Sequence, residues 1–305
     1  MLLATLCAEY IEQNPRVQSA ETIRLIGVVC RNFQRFLSRT GKAADLTDAN
    51  LRAFSRSRRE AGKSLATIDG ELSKLMALAK YAAQRGLVPM PLLRVPKSPA
   101  CVPVAFLRYQ IRQLWRAAYR SATAIGGVPG CIYWPALLDV LWDSGERIRA
   151  IYSLSRTDID LCGRWITFRN RKGQGRPMVK RIRRVTAKNL RRLLQSHVMP
   201  EPFAVACMGT IYNQYHTLLA DAGLPTDRHS KFHCLRKSHA SYLHLAGGDS
   251  RASLGHSSDA VTVRHYFDAR IVAGRQPIQL LFNPLGLWDR LAGWLGRWFW
   301  RGRIG

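Results

Sequence analysis

Five prolines within fifteen residues, Pro89, Pro91, Pro96, Pro99 and Pro103, interrupt this chain of 305 residues about a third of the way along. Proline fixes φ and removes a backbone donor, so no helix runs through such a segment, and the connection it makes is stiff. The residues on either side must build their own cores. With 47% hydrophobic residues there is enough apolar material for two of them. The sequence is therefore read as a first domain over 1–95, a linker over 96–104, a second domain over 105–275 and a tail over 276–305.

The first domain reads as helix throughout. From Glu21 to Leu37, Ile26, Val29, Cys30, Phe33, Phe36 and Leu37 recur at helical spacing, with Gly41 beyond as a stop. Thr47 is a plausible N-cap for a second helix carrying Leu51 and Phe54. Leu65, Ile68, Leu72, Leu75, Ala79 and Ala82 form the clearest stripe, closed by Gly86, and together these predict a small helical bundle. In the second domain a helix is expected over Tyr109–Ala122, a turn at Gly126–Gly130, and a strongly apolar helix through Leu137, Leu138, Val140 and Leu141. Trp165–Phe168 and Met178–Ile182 flank Arg171-Lys172-Gly173-Gln174-Gly175 and predict two strands joined by a hairpin, with helices resuming from Ala187.

Charge narrows the partner. Lys and Arg number 47 against 20 acidic residues, a formal charge of +27, and twelve of the basic residues fall between Arg164 and Arg192 with no acid among them. Such a run of one sign repels itself unless a polyanion relieves it, which points to nucleic acid and to a phosphate-facing surface. Seven scattered cysteines without a C-x-x-C pair argue against a disulfide framework and against a cysteine-based metal site. The segment Met1–Tyr10 lacks the basic flank and long apolar run of a secretory signal, so a cytoplasmic location is expected.

Cleaving a phosphodiester without a metal needs a nucleophile, cations for the charge on the non-bridging oxygens, and an acid for the departing oxygen. Arg147 follows an apolar helix in Ser144-Gly145-Glu146-Arg147, where glycine permits a turn that aims a guanidinium into a cleft; taken alone it reads equally as a surface arginine. His233-Cys234-Leu235-Arg236 places an imidazole and a guanidinium on one helical face. His239 and His244, further along, read as packing or surface residues. Gly255-His256 follows, and Tyr266 comes ten residues after that histidine in a polar, basic phrase.

In this order the set resembles the signature of the tyrosine recombinase, or phage integrase, family: an arginine after a glycine turn, a lysine in a β-hairpin, H-x-x-R, a G-H pair, and a tyrosine near the end. The resemblance covers most of the chain. It implies a mainly α fold with a small β-hairpin sheet, in which an N-terminal helical, SAM-like core-binding bundle precedes a C-terminal α+β catalytic domain. It implies that Arg147 and Arg236 clamp the scissile phosphate, that Lys172 protonates the leaving 5′ oxygen, and that His233 assists proton transfer. By the same resemblance His256 donates a hydrogen bond to the phosphate and Tyr266 attacks, giving a 3′-phosphotyrosine. Lys63, Arg171 and Lys237 are the candidate DNA contacts. The partners are double-stranded DNA and further copies of the chain, a dimer on each core site and a tetramer in synapsis, with no cofactor, metal or membrane involved.

The chain departs from the signature in four places. Glu146 stands where an apolar residue is commoner, Arg149 where a small one is, His256 to Tyr266 spans ten residues where nine is frequent, and the interval from Arg236 to His256 is short. A DNA-binding protein on the same fold that no longer cleaves, and a type IB topoisomerase-like relaxing enzyme, therefore stay beside the recombinase reading. In the tail, Leu287, Trp288, Leu291, Trp294, Leu295 and Trp298 form one apolar stripe. That stripe fits interfacial membrane binding or packing on its own domain, and the resemblance adds docking on a neighbouring protomer.

Overall fold

Ser19, Thr47 and Ser64 each accept a hydrogen bond on the side-chain oxygen from the backbone N–H three residues ahead, and each begins a helix. The computed structural model describes residues 1–15, 17, 19–93, 102–169, 177–227, 230–256 and 258–272. It divides into two units, Met1–Ala100 and Cys101–Gly305. The linker proposed over 96–104 is outside the described residues except for 102–104, which form no helix or strand, and the tail over 276–305 is outside them altogether.

The first unit comprises α1 (Leu3–Gln13), α2 (Ala20–Leu37), α3 (Asp48–Glu60) and α4 (Leu65–Gln84). Phe33 of α2 meets Phe54 of α3 edge-on at 5.5 Å, over a core that includes Leu6, Leu72, Leu75 and Leu78. Glu71, buried on α4, ties three helices together: Arg58 on α3 grips it at 2.7 Å through two nitrogens and Asn32 on α2 donates to it at 3.0 Å. Helix α1 was not among the helices read from the sequence. It has no side-chain N-cap and buries only Leu3, Leu6 and Cys7, too little to print a periodicity.

The second unit opens with α5 (Arg108–Arg120). A short hairpin follows, β1 (Ala124–Ile125) against β2 (Val128–Pro129), turning at Gly126 and Gly127 where only a turn was expected. Helix α6 (Gly130–Ser144) is the axis of this core, with Tyr133, Trp134, Leu137, Leu138 and Leu141 all buried. After α7 (Ile148–Tyr152) comes a three-stranded antiparallel sheet of β3 (Ile159–Asp160), β4 (Trp165–Phe168) and β5 (Met178–Arg181), with Trp165 opposite Arg181 and Phe168 opposite Met178. Two of its strands follow the expected runs. The third, two residues long, is below the length at which alternation shows.

Helices α8 (Arg184–Ser196), α9 (Met208–Asp221), α10 (Phe232–Leu245), α11 (Ser250–Leu254), α12 (Asp259–Tyr266) and α13 (Ala269–Val272) complete the described unit. Part of the basic run is spent inside the fold. Arg183 donates to Asp143 at 2.5 Å and to Asp139 at 3.2 Å, and Arg169 to Asp158 at 2.7 Å, so these arginines orient the sheet and α8 on acidic side chains from earlier in the chain. No helix among the described residues is long and apolar enough to cross a membrane.

Candidate active site

Helix α6 ends at Gly145 in the left-handed region, φ 64°, and its N–H closes the last turn onto the Leu141 carbonyl at 2.9 Å. A side chain here would be strained by that φ and would also collide with the ring of His239 on α10, so the turn requires glycine on two counts. Beyond it, Arg147 caps α7 with extended backbone and a partly exposed side chain. The break between α6 and α7 therefore turns the chain at the residue expected to hold phosphate.

Helix α10 supplies His233 and Arg236. Arg236 is 1% exposed, unusual for a group that carries a permanent charge. Its Nη1 donates to the Gly145 carbonyl at 2.6 Å, and its Nη2 to the Leu254 carbonyl at 3.1 Å and to His256 Nε2 at 3.2 Å. Glu146 Oε2 stands 3.7 Å from Nη1. Burial lowers the Arg236 pKa, partly offset by the nearby Tyr266 phenol and by Glu146. The Nε–H has no hydrogen-bond partner among the described residues.

His256 follows Gly255, the left-handed cap of α11. A guanidinium can only donate, so His256 Nε2 accepts from Arg236 and the ring proton lies on Nδ1, directed at Thr262 Oγ1 2.8 Å away. The imidazole thus faces Arg236 as an acceptor. Tyr266 ends α12, 6% exposed, with its ring 5.3 Å from the Arg236 guanidinium, 4.5 Å from the His256 ring and 5.2 Å from the His233 ring. Ala240, Leu254 and Phe267 pack against it, so the phenol is enclosed by hydrocarbon on one side and by cationic and imidazole groups on the other.

His233 keeps an exposed edge on α10, and packing around its ring, followed by the charges of Lys237, Arg236 and Arg147, lowers its pKa, so that at neutral pH it is an uncharged imidazole. The same electrostatic influence shows that Arg147, His233 and Arg236 share one locality, because the Arg147 charge acts on both of the others.

Five of the six residues singled out for chemistry, Arg147, His233, Arg236, His256 and Tyr266, are thus brought together by α6–α7, α10, α11 and α12. Lys172 and Arg171 lie outside the described residues. Lys237 is half-buried on α10, and Lys63 is exposed in the first unit between α3 and α4. Sequence reasoning passed over Thr262, Ser253 and Lys180, and treated Glu146 only as a departure. His239, read as packing, is buried as a link: Nδ1 donates to the Trp142 carbonyl at 2.6 Å, Nε2 faces Ser253 Oγ at 3.1 Å, and Lys180 on β5 donates to the same Ser253. Sheet, turn and α11 are joined through it. Only the proximity of Gly145 and His239 in space reveals this, and their separation in sequence hides it. His244, by contrast, is exposed and stacks on Phe267 at 4.4 Å.

No protein-family model matches the chain. Among curated proteins it is 28% identical over 234 residues to the tyrosine recombinase XerC of Neisseria meningitidis serogroup C / serotype 2a, covering 73% of this chain and 75% of that one. It is 27% identical over 236 residues to the XerC of Neisseria gonorrhoeae, with the same coverage of 73% and 75%. Among solved structures it resembles a lambda integrase dimer bound to a COC′ core site (TM-score 0.68, 15% identity, 94% of this chain and 81% of that one). It also resembles the Tn1549 transposon integrase in complex with a circular intermediate DNA (TM-score 0.67, 15% identity, 90% of this chain and all of that one). A mainly helical unit with a small antiparallel sheet, carrying arginines, imidazoles and a tyrosine in one place, is the fold of the lambda integrase-like recombinases. The chain is thus similar in sequence to curated tyrosine recombinases and in fold to the lambda and Tn1549 integrases.

Proposed function

We propose that the chain is a site-specific DNA recombinase that cuts and rejoins strands through Tyr266. The observation that carries this reading is the enclosure of the Tyr266 ring by Arg236, His233 and His256, three groups with the chemistry to bind a phosphate and move a proton. Tyr266 Oη attacks the scissile phosphorus, the bond to the 5′ oxygen breaks, and a 3′-phosphotyrosine and a 5′-hydroxyl result. The phenol gives its proton to an acceptor such as neutral His233, and the departing oxygen takes one from Lys172, a role assigned by family resemblance. Arg147 and Arg236 carry the charge that builds on the non-bridging oxygens. The linkage keeps the energy of the broken bond, so rejoining needs no nucleotide.

The Tyr266 ring and His256 stand against the Arg236 guanidinium. An entering phosphate replaces them as its partner, since charge-assisted bonds to a phosphate are stronger than neutral ones. Double-stranded DNA is the substrate on this reading, in the cytoplasm. The lambda integrase structures, a dimer on a core site and a tetramer on a Holliday junction, support the same assembly order here. Residues 1–95 then form the core-binding domain and 105–275 the catalytic one.

The test is a nicked suicide duplex drawn from DNA flanking the chain's own coding region. The wild type should accumulate a protein–DNA band that survives denaturation, and Tyr266→Phe should bind the same duplex and give none. An adduct with Tyr266→Phe, or none with the wild type on any flanking duplex, overturns the reading.

A further inference from the structure

Glu146 is 1% exposed, between the turn glycine and Arg147, and no role in the chemistry above uses it. A buried carboxylate is tolerated only with a compensating cation, and Arg236, equally buried, stands 3.7 Å away. The backbone beneath it is fixed: the Glu146 N–H donates to Ser144 Oγ at 3.1 Å, and that hydroxyl donates to the Val140 carbonyl at 2.6 Å. Arg236 Nη1 therefore meets two consecutive residues, the carbonyl of Gly145 and the carboxylate of Glu146. Nη2 is held from the other chain segment by Leu254 and His256.

We propose that Glu146 is a positioning residue for the strand-cleavage reaction. It is the permanent counter-ion that keeps Arg236 buried and fixes the plane of its guanidinium toward Tyr266 and the scissile phosphate. The inference rests on the reading of Arg236 as a phosphate clamp. Being buried, Glu146 is not displaced when DNA binds; the phosphate reaches Arg236 from the side on which Tyr266 and His256 now stand. The acidic residue in the Gly145-Glu146-Arg147 turn, a departure from the family's usual apolar residue, thus serves the arginine of a different helix.

Single-turnover cleavage of the suicide duplex separates positioning from folding, because misplacement lowers the rate constant whereas loss of folded protein lowers the amplitude. Glu146→Gln, which keeps the shape and removes the charge, should slow adduct formation by about 10- to 100-fold at wild-type amplitude, less than the loss of a transition-state donor itself, because Glu146 acts through Arg236. Its affinity for the duplex should stay within twofold. Glu146→Asp, which restores the charge, should recover most of the rate. A Gln variant within twofold of wild type, a loss confined to amplitude, or an Asp variant no faster than Gln overturns the proposal. If Glu146→Gln does not fold, Glu146→Met takes its place: a rate constant lowered about tenfold or more at full amplitude supports the proposal, and one within about twofold of wild type overturns it. Absence of adduct with the wild type would instead strike the recombinase reading.

Discussion

The Arg236 guanidinium stands 5.3 Å from the ring centroid of Tyr266, with both side chains buried. A fixed cation over a phenol ring is an attraction in its own right, and here it holds the proposed clamp and the proposed nucleophile in one place. The two residues come from helices that are separate in sequence, α10 and α12, and they are closed on one another by Leu254, His256 and Thr262.

Removing the hydroxyl while keeping the ring should separate chemistry from stability. Tyr266→Phe should lose all covalent adduct, bind DNA within about twofold of wild type, and lose no more than about 1 kcal/mol of unfolding free energy, since the ring that packs on Arg236 is kept. Adduct gels, binding titrations and urea melts read the three quantities.

Truncating Arg236 should be costly for folding as well as for activity. Arg236→Ala leaves Glu146 buried without its cation and strands the Gly145 and Leu254 carbonyls, at a cost of about 3 to 5 kcal/mol. Chemical denaturation should show it, and a loss below about 1 kcal/mol would contradict the buried pairing described above.

Gly145→Ala tests the turn. The added methyl meets the His239 ring at a positive φ, so the variant should lose about 2 kcal/mol or more, and adduct formation should fall further than stability accounts for, because Arg147 is aimed by the same turn. Rate constants measured well below the melting temperature separate the two effects.

Acid should destabilise the second unit through a buried imidazole. Burial pushes His239 down to about 4, so between pH 4 and 6.5 the unfolded chain binds a proton that the folded chain refuses. Stability is complete above pH 6.5 and falls as pH drops through that window, by about 3 kcal/mol for a shift of this size in a buried group. Unfolding curves from pH 4 to 8 should show the slope, and His239→Asn should flatten it.

The formal charge of +27 should make DNA affinity fall steeply with salt. Replacing Lys63 or Lys237 by alanine should each lower the slope of log K against log salt by about 0.9 if that ammonium neutralises a phosphate. An unchanged slope removes the residue from the interface.

The site was legible to the extent that chemistry is local in sequence. His233 and Arg236 share a helical face, Gly145 marks a turn, Gly255 marks another, and Tyr266 stands in a phrase too polar for ordinary core. What was not legible were partners that come together only through folding. Glu146 reads only as a departure from the signature until Arg236 is placed beside it, and His239 reads as packing or surface until Trp142 and Ser253 are seen on its two nitrogens. Helix α1 and strand β3 were missed for a related reason: each buries too few residues to impose a period on the text.

The sequence by itself determined the proline break, the amphipathic helices, the excess of cations and the order of the reactive residues, because period, composition and turn propensity act over a few neighbouring positions. Only the tertiary structure decided that Arg236 is buried, that an acid from the preceding turn neutralises it, and that His256 faces it as an acceptor. Desolvation and hydrogen-bond direction depend on which atoms the fold brings within a few ångströms, and no spacing along the chain encodes that.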